Sequence, residues 1–434
     1  MGNVTHFNKV CARNGNDTAA TPCRFYIFSP PLHILVQTRT KQWGERIVNR
    51  VKQWGIIALI VAVGGTMLFG QPSMAQEGTS DIDVAPGAQA AICADATSGR
   101  VLYGKNVDDE MLIASLTKIM TAIVAIESGK LDELVTVGPR AVGVEGSSIY
   151  LKQGEKIPLI TLLYGLMLRS GNDAAVAIAE HIGGSVEGFV YLMNRKAEYM
   201  GLEHTHFANP HGLDAEGHYS SARDLAVLTS YALKNPTFQE IVKTEVKTVP
   251  WPGEKWNRKF YNKNKMLRLY KWADGVKTGY TKKARRTLVA SATKEGHQLV
   301  TVTLNDGDDW RDSMNMLEYG FQQYDLVPIL QKGQVVSKRA VQSKEDKLFD
   351  VIAGTSFSFP LTDQEKGQVV VEPIISFPLK LVRHDQQQVG SARIFLREEQ
   401  IGAIPLVVKF RSEPSVFRRF KDWLGLMVWQ GERR

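Results

Sequence analysis

The sequence predicts an α+β domain, in which helices pack on an antiparallel sheet, followed by a small all-β domain and a C-terminal amphipathic helix. Three observations predict it. Strand-like runs at 90–95 and 101–103 open the first region, and three more (275–281, 287–293 and 298–304) come only after a long helical block. Within that block, apolar residues recur at spacings of three and four. Beyond Pro328 the chain turns to short β-branched and aromatic runs at fairly regular intervals.

The 434 residues leave room for two or three domains, and the 44% hydrophobic and 23% charged content is ordinary for a globular protein. Residues 1–75 carry +6 of the net charge of +8. The remainder is close to neutral, so the basic balance does not point to nucleic acid.

Residues 1–38 show no periodicity. A basic stretch at 39–52, an apolar run of 16 residues at 55–70 and the small residues Ser73 and Ala75 follow in the order of a secretory signal peptide, with cleavage expected after Ala75. A retained N-terminal anchor is the alternative. The basic part is longer than usual, and a translation start downstream of Met1, near residue 35, is expected. Of the three cysteines only Cys93 lies beyond that cleavage point, inside a strand, where it reads as a small core residue.

The 90–95 and 101–103 runs form a hairpin around Ala96-Thr97-Ser98-Gly99. Ser115-Leu116-Thr117-Lys118 then opens a helix whose apolar residues are Leu116, Ile119, Met120, Ile123 and Val124, and Gly129 stops it. Residues three apart share a helix face, so the Ser115 hydroxyl and Lys118 amine can meet one turn apart. A serine hydroxyl needs a base to become a nucleophile. Lysine is such a base when burial or nearby positive charge lowers its pKa, and an apolar helix supplies the burial. The plain alternative for Ser115 is a helix cap. A second such spacing, Ser291 to Lys294, lies in an alternating run where residues three apart face opposite ways, so it cannot easily form a dyad.

Two more helices, at 159–168 and 174–182, meet at a corner holding Ser170, Asn172 and Asp173, which reads as an N-cap and turn bordering a cleft. His204, His206, His211 and His218 cluster within 203–218, but their spacing fits no common zinc pattern; the loop 209–213 reads as a packed turn beside the site. No metal or cofactor is expected. Residues 251–270 read as a surface excursion, and a helix at 312–324 closes the first domain. Short strands are expected at 335–336, 357–359, 369–371, 379–382, 392–396 and 404–410. In 415–430, Phe417, Phe420, Trp423, Leu424 and Met427 share one face and basic residues the other, the pattern of a helix lying in a bilayer interface; docking onto its own β domain is the alternative.

Ser115-x-x-Lys118, Ser170-x-Asn172 and Lys277-Thr278-Gly279 follow one another in that order. Together they resemble the penicillin-binding proteins and serine β-lactamases, and the Ser-Gly-Asn form resembles the D-alanyl-D-alanine carboxypeptidases, from about Ala85 to the C-terminus. The resemblance implies the serine β-lactamase/DD-peptidase-like fold. It implies Ser115 as nucleophile, Lys118 as its base and Ser170 as proton relay. Asn172 would hold the substrate amide, Lys277 and Thr278 the terminal carboxylate, and Gly279 would let the substrate lie close to its strand. The oxyanion hole would use the N–H groups of Ser115 and Tyr280. The implied partners are peptidoglycan pentapeptides, β-lactams and, through the C-terminal helix, the outer face of the cytoplasmic membrane. A cross-link-cutting endopeptidase and an inert wall-binding protein are the rival readings. Many relatives have Gly shortly after the Lys-Thr-Gly strand, where this chain has Ala284-Arg285-Arg286, a form similar to the branch from spore-forming bacteria. No equivalent of the deacylating Glu of class A β-lactamases is identifiable, so slow β-lactam hydrolysis is expected. The implied domains are 1–75, 76–327, 328–412 and 413–434.

Overall fold

The computed structural model describes residues 83–411 apart from 252 and 343–347. The expected signal peptide and C-terminal helix lie outside the described residues.

In chain order the first region contains β1 (Ala88–Asp95), β2 (Val101–Lys105), α1 (Lys118–Glu127), β3 (Leu134–Thr136), β4 (Lys156–Pro158), α2 (Leu159–Leu168), α3 (Asn172–Gly183), α4 (Val186–Tyr199), α5 (Ala222–Ala232), α6 (Pro236–Lys243), β5 (Val246–Val249), β6 (Arg258–Tyr261), α7 (Met266–Leu269), β7 (Ala273–Thr281), β8 (Arg285–Lys294), β9 (His297–Asp306) and α8 (Asp309–Gln323). Five strands form an antiparallel sheet in the order β2-β1-β9-β8-β7. The terminal hairpin and the three late strands thus join in one sheet, as the sequence pattern predicts.

The period-two alternation of the strands divides the core. On β1, Ala90, Ile92 and Ala94 face the helical block, while Ala91 and Cys93 face α8 with Met316 and Leu317. Cys93 is free and fully buried. Its neighbour across that layer is Gly320, where an added Cβ would stand 3.3 Å from the Cys93 sulfur. α1 is buried almost throughout and apolar apart from Lys118, Thr121 and Glu127, as befits a helix inside a domain.

The second sheet is built from β11 (Val335–Gln342), β12 (Leu348–Ala353), β14 (Val369–Ile375), β15 (Gln388–Leu396) and β16 (Glu399–Phe410), in the order β11-β12-β16-β15-β14, and β10 (Asp325–Leu330) pairs with β13 (Phe357–Leu361) beside it. It encloses its own core around Phe349, Val351, Ile394, Leu406 and Val408. The change of texture at Pro328 therefore falls inside a strand rather than at a boundary. Residues 379–381 form a short 3-10 turn, not a strand. Among the described residues no helix is long and apolar enough to cross a membrane.

Candidate active site

Ser115 sits in a single 3-10 turn, Ala114–Thr117, that runs directly into α1. Ala114 has φ +48°, a left-handed conformation that costs a non-glycine residue about 1–2 kcal/mol. The turn is held by two hydroxyls: Thr117 Oγ donates to Ala114 O at 2.8 Å and Thr287 Oγ to Ile113 O at 3.2 Å. No side chain caps α1, whose N-cap is Thr117, so the cap alternative for Ser115 falls away.

Lys118 is completely buried. Its Nζ lies 2.8 Å from Ser115 Oγ and 2.8 Å from Asn172 Oδ1, and it also bonds the main-chain oxygen of His211. Asn172 Nδ2 donates to Glu145 O, which turns its oxygen toward the lysine. Burial first, then the charges of Lys277 and Lys263, push the Lys118 amine well below its ordinary pKa. A neutral amine has two hydrogens and one lone pair. Asn172 Oδ1 and His211 O can only accept, so they take the hydrogens. The lone pair is left for the Ser115 hydroxyl proton.

Ser170 stands at the α2–α3 corner with φ +62°. Its hydroxyl accepts from Lys277 Nζ at 3.1 Å, and Lys277 also donates to Thr278 O at 2.8 Å. Lys277 is buried within β7, and burial together with Lys263 lowers it to about 7. Gly279 lies directly against the Ser115 turn: an added Cβ would be 3.0 Å from Ser115 N. Thr278 is half-buried and Tyr280 is exposed on the rim. The structure thus brings Ser115, Lys118 and Asn172 into one network, and Ser170, Lys277 and Thr278 into a second across the cleft.

Some of the machinery was not legible. The corner is not a side-chain cap: Gly171 is the N-cap of α3 and makes no side-chain bond. The Asp173 carboxylate instead accepts from Ile149 N, Leu151 N and Ser148 Oγ, tying that loop to the cleft. The 251–270 stretch is a surface excursion only in part: 255–257 are exposed, but Arg258, Asn262, Asn264 and Met266 are buried. It delivers Lys263, whose Nζ donates to Ser147 Oγ at 2.8 Å and whose charge acts on both buried lysines. The four clustered histidines have separate tasks. His211 contributes its carbonyl, His218 bonds Thr117, His206 Nδ1 bonds Gly217 O, and His204 faces Glu110 at 3.8 Å. Among the described residues no group of three or more His, Cys, Asp or Glu is arranged to hold a metal.

Residues 76–308 match the family model of D-alanyl-D-alanine carboxypeptidases, peptidase S11. The chain belongs to this family. Residues 324–412 match the C-terminal domain of penicillin-binding protein 5. Among S11 relatives, the chain is 32% identical over 368 residues to the D-alanyl-D-alanine carboxypeptidase DacF of Bacillus subtilis, covering 80% of this chain and 93% of that one. It is 33% identical over 373 residues to DacA of Escherichia coli, covering 79% and 89%. Its fold is similar to penicillin-binding protein 5 of Haemophilus influenzae, with TM-score 0.61 and 28% identity over 74% of this chain and 96% of that one. Penicillin-binding protein 6B of Escherichia coli gives TM-score 0.58 and 30% identity over 74% and 95%. The family accounts for an antiparallel sheet with packed helices followed by an all-β domain.

Proposed function

We propose that this S11 chain is a serine-type D-Ala-D-Ala carboxypeptidase that removes the terminal D-alanine of peptidoglycan stem peptides. The observation that carries the reading is the Lys118 amine, buried, 2.8 Å from Ser115 Oγ, with its other hydrogen-bonding capacity absorbed by Asn172 and His211. Lys118 takes the Ser115 proton as Oγ bonds to the carbonyl carbon of the penultimate D-alanine. The Ser115 and Tyr280 N–H groups receive the oxyanion. Asn172 holds the substrate amide, and Lys277 and Thr278 hold the terminal carboxylate. When the tetrahedral adduct collapses, the C–N bond breaks and Ser170 passes a proton to the leaving amine. Water then cleaves the serine ester and restores the hydroxyl. A β-lactam amide presents the same carbonyl and carboxylate, so it acylates Ser115 in the same way.

The family's action on peptidoglycan supports work outside the cytoplasm. The 55–75 stretch supports export through a signal peptide, and the amphipathic 415–430 stretch supports peripheral attachment to the outer face of the membrane. The Arg-Arg-Thr-Leu-Val form is the feature that supports the branch of spore-forming bacteria. Mass spectrometry of the penicillin-treated protein tests the reading: the adduct is expected on Ser115, and on no residue in Ser115→Ala. An adduct on another residue, or D-alanine release that survives Ser115→Ala, refutes it.

A further inference from the structure

His218 lies 101 residues beyond Thr117 in sequence and is buried, with its ring edge-on to Phe207. Both ring nitrogens are committed. Ala208 N donates to Nδ1 at 3.0 Å, and Nε2 lies 2.8 Å from Thr117 Oγ. The first bond requires Nδ1 to be unprotonated, so in the neutral ring Nε2 carries the hydrogen and donates it to Thr117. Burial, then His206, pull the imidazole down to about 4, which keeps it neutral. The Thr117 hydroxyl has one hydrogen. With its acceptor side occupied by His218, that hydrogen goes to Ala114 O at 2.8 Å. Ala114 is the left-handed residue that turns the chain into Ser115, and Gly212 packs against the same carbonyl and Thr117 Oγ.

We propose that His218 is a positioning residue for the nucleophile, acting through Thr117 to hold the strained Ala114 turn that sets Ser115 against Lys118. The relay runs Ala208 N–H to Nδ1, Nε2–H to Thr117 Oγ, and Thr117 O–H to Ala114 O. Its effect falls on the geometry of attack, because the relay ends on the Ala114 carbonyl of the turn that carries Ser115.

The inference rests on the reading of Ser115 as nucleophile, and penicillin acylation separates the two. His218→Leu is expected to lower the saturating acylation rate about ten-fold or more while the penicillin dissociation constant stays within about two-fold. His218→Gln, whose amide supplies one donor and one acceptor, is expected to recover most of the rate. In a Thr117→Val background, His218→Leu is expected to add little further loss. A folded His218→Leu protein that acylates Ser115 at the wild-type rate overturns the inference and leaves the function standing. Independent losses at His218 and Thr117, or a Gln variant no better than Leu, also overturn it. Imidazole nitrogen-15 shifts of the unaltered protein give a check that requires no variant to fold. An unprotonated Nδ1 and protonated Nε2 at neutral pH are expected; the other tautomer or a cation refutes the relay. An adduct located away from Ser115 instead refutes the function itself.

Discussion

At the scale of single residues, two lysines inside one cleft hold opposite duties because their partners differ. Lys118 faces acceptors that leave its lone pair on Ser115, whereas Lys277 points its hydrogens at Ser170 and Thr278. Replacing Lys118 by Met keeps the volume and removes the proposed base; the penicillin acylation rate is expected to fall about 10²–10⁴-fold, measured by stopped-flow binding. Both amines also couple pH to stability. Their folded pKa values are depressed, Lys277 to about 7, while the unfolded chain holds those protons up to the ordinary lysine range. The unfolded state therefore binds more protons between about pH 7 and 10, and the fold gains stability as pH rises through that window. Urea melts at the two ends of the window check the sign, and Lys277→Met should flatten the rise.

At the scale of elements, the site depends on a turn, a corner and a loop meeting at the start of a buried helix. Gly212 belongs to the loop. It has φ +88°, and an added Cβ would overlap the Ala114 carbonyl oxygen. Gly212→Ala is expected to cost about 2–4 kcal/mol from backbone strain and overpacking, and to slow acylation by displacing the Ser115 turn; urea unfolding and acylation rates measure both. α1, α2, α3, α8 and the five strands of the first sheet were legible from apolar spacing and β-rich runs, whereas α4, α5, α6 and β12 were not. The motif residues were legible because each is a chemically distinctive side chain at a fixed short spacing. The His211 carbonyl, the Asp173 clamp and the His218 relay were not. A main-chain oxygen has no letter in the sequence, and the contacts of Asp173 and His218 join positions whose separation only the tertiary fold closes. Residues 379–381 misled because apolar residues alone do not distinguish a strand from a single turn.

At the scale of the whole molecule, one arginine links the catalytic sheet to the β domain. Arg100, in the connection between β1 and β2, donates to Pro360 O and to Glu365, and its guanidinium lies over the rings of Tyr324 at 5.1 Å and Phe359 at 5.3 Å. Arg100→Ala removes all four contacts and leaves the mostly buried Glu365 without its ion-pair partner, its carboxylate still accepting from Thr362 N. Scanning calorimetry is expected to show one unfolding transition for the unaltered protein and two for the variant, with acylation of Ser115 unchanged. The order of the catalytic sheet carries a further consequence. Among the described residues β7 is its last strand, so there one flank of Lys277-Thr278-Gly279 has no neighbouring strand to satisfy its amides and carbonyls. An extended peptide laid there is read by its own main chain, as if it were a missing sixth ribbon. Recognition at that flank registers chain direction and stereochemistry more than the identity of side chains. Molecules that imitate only one amide and one carboxylate in the right handedness therefore gain entry.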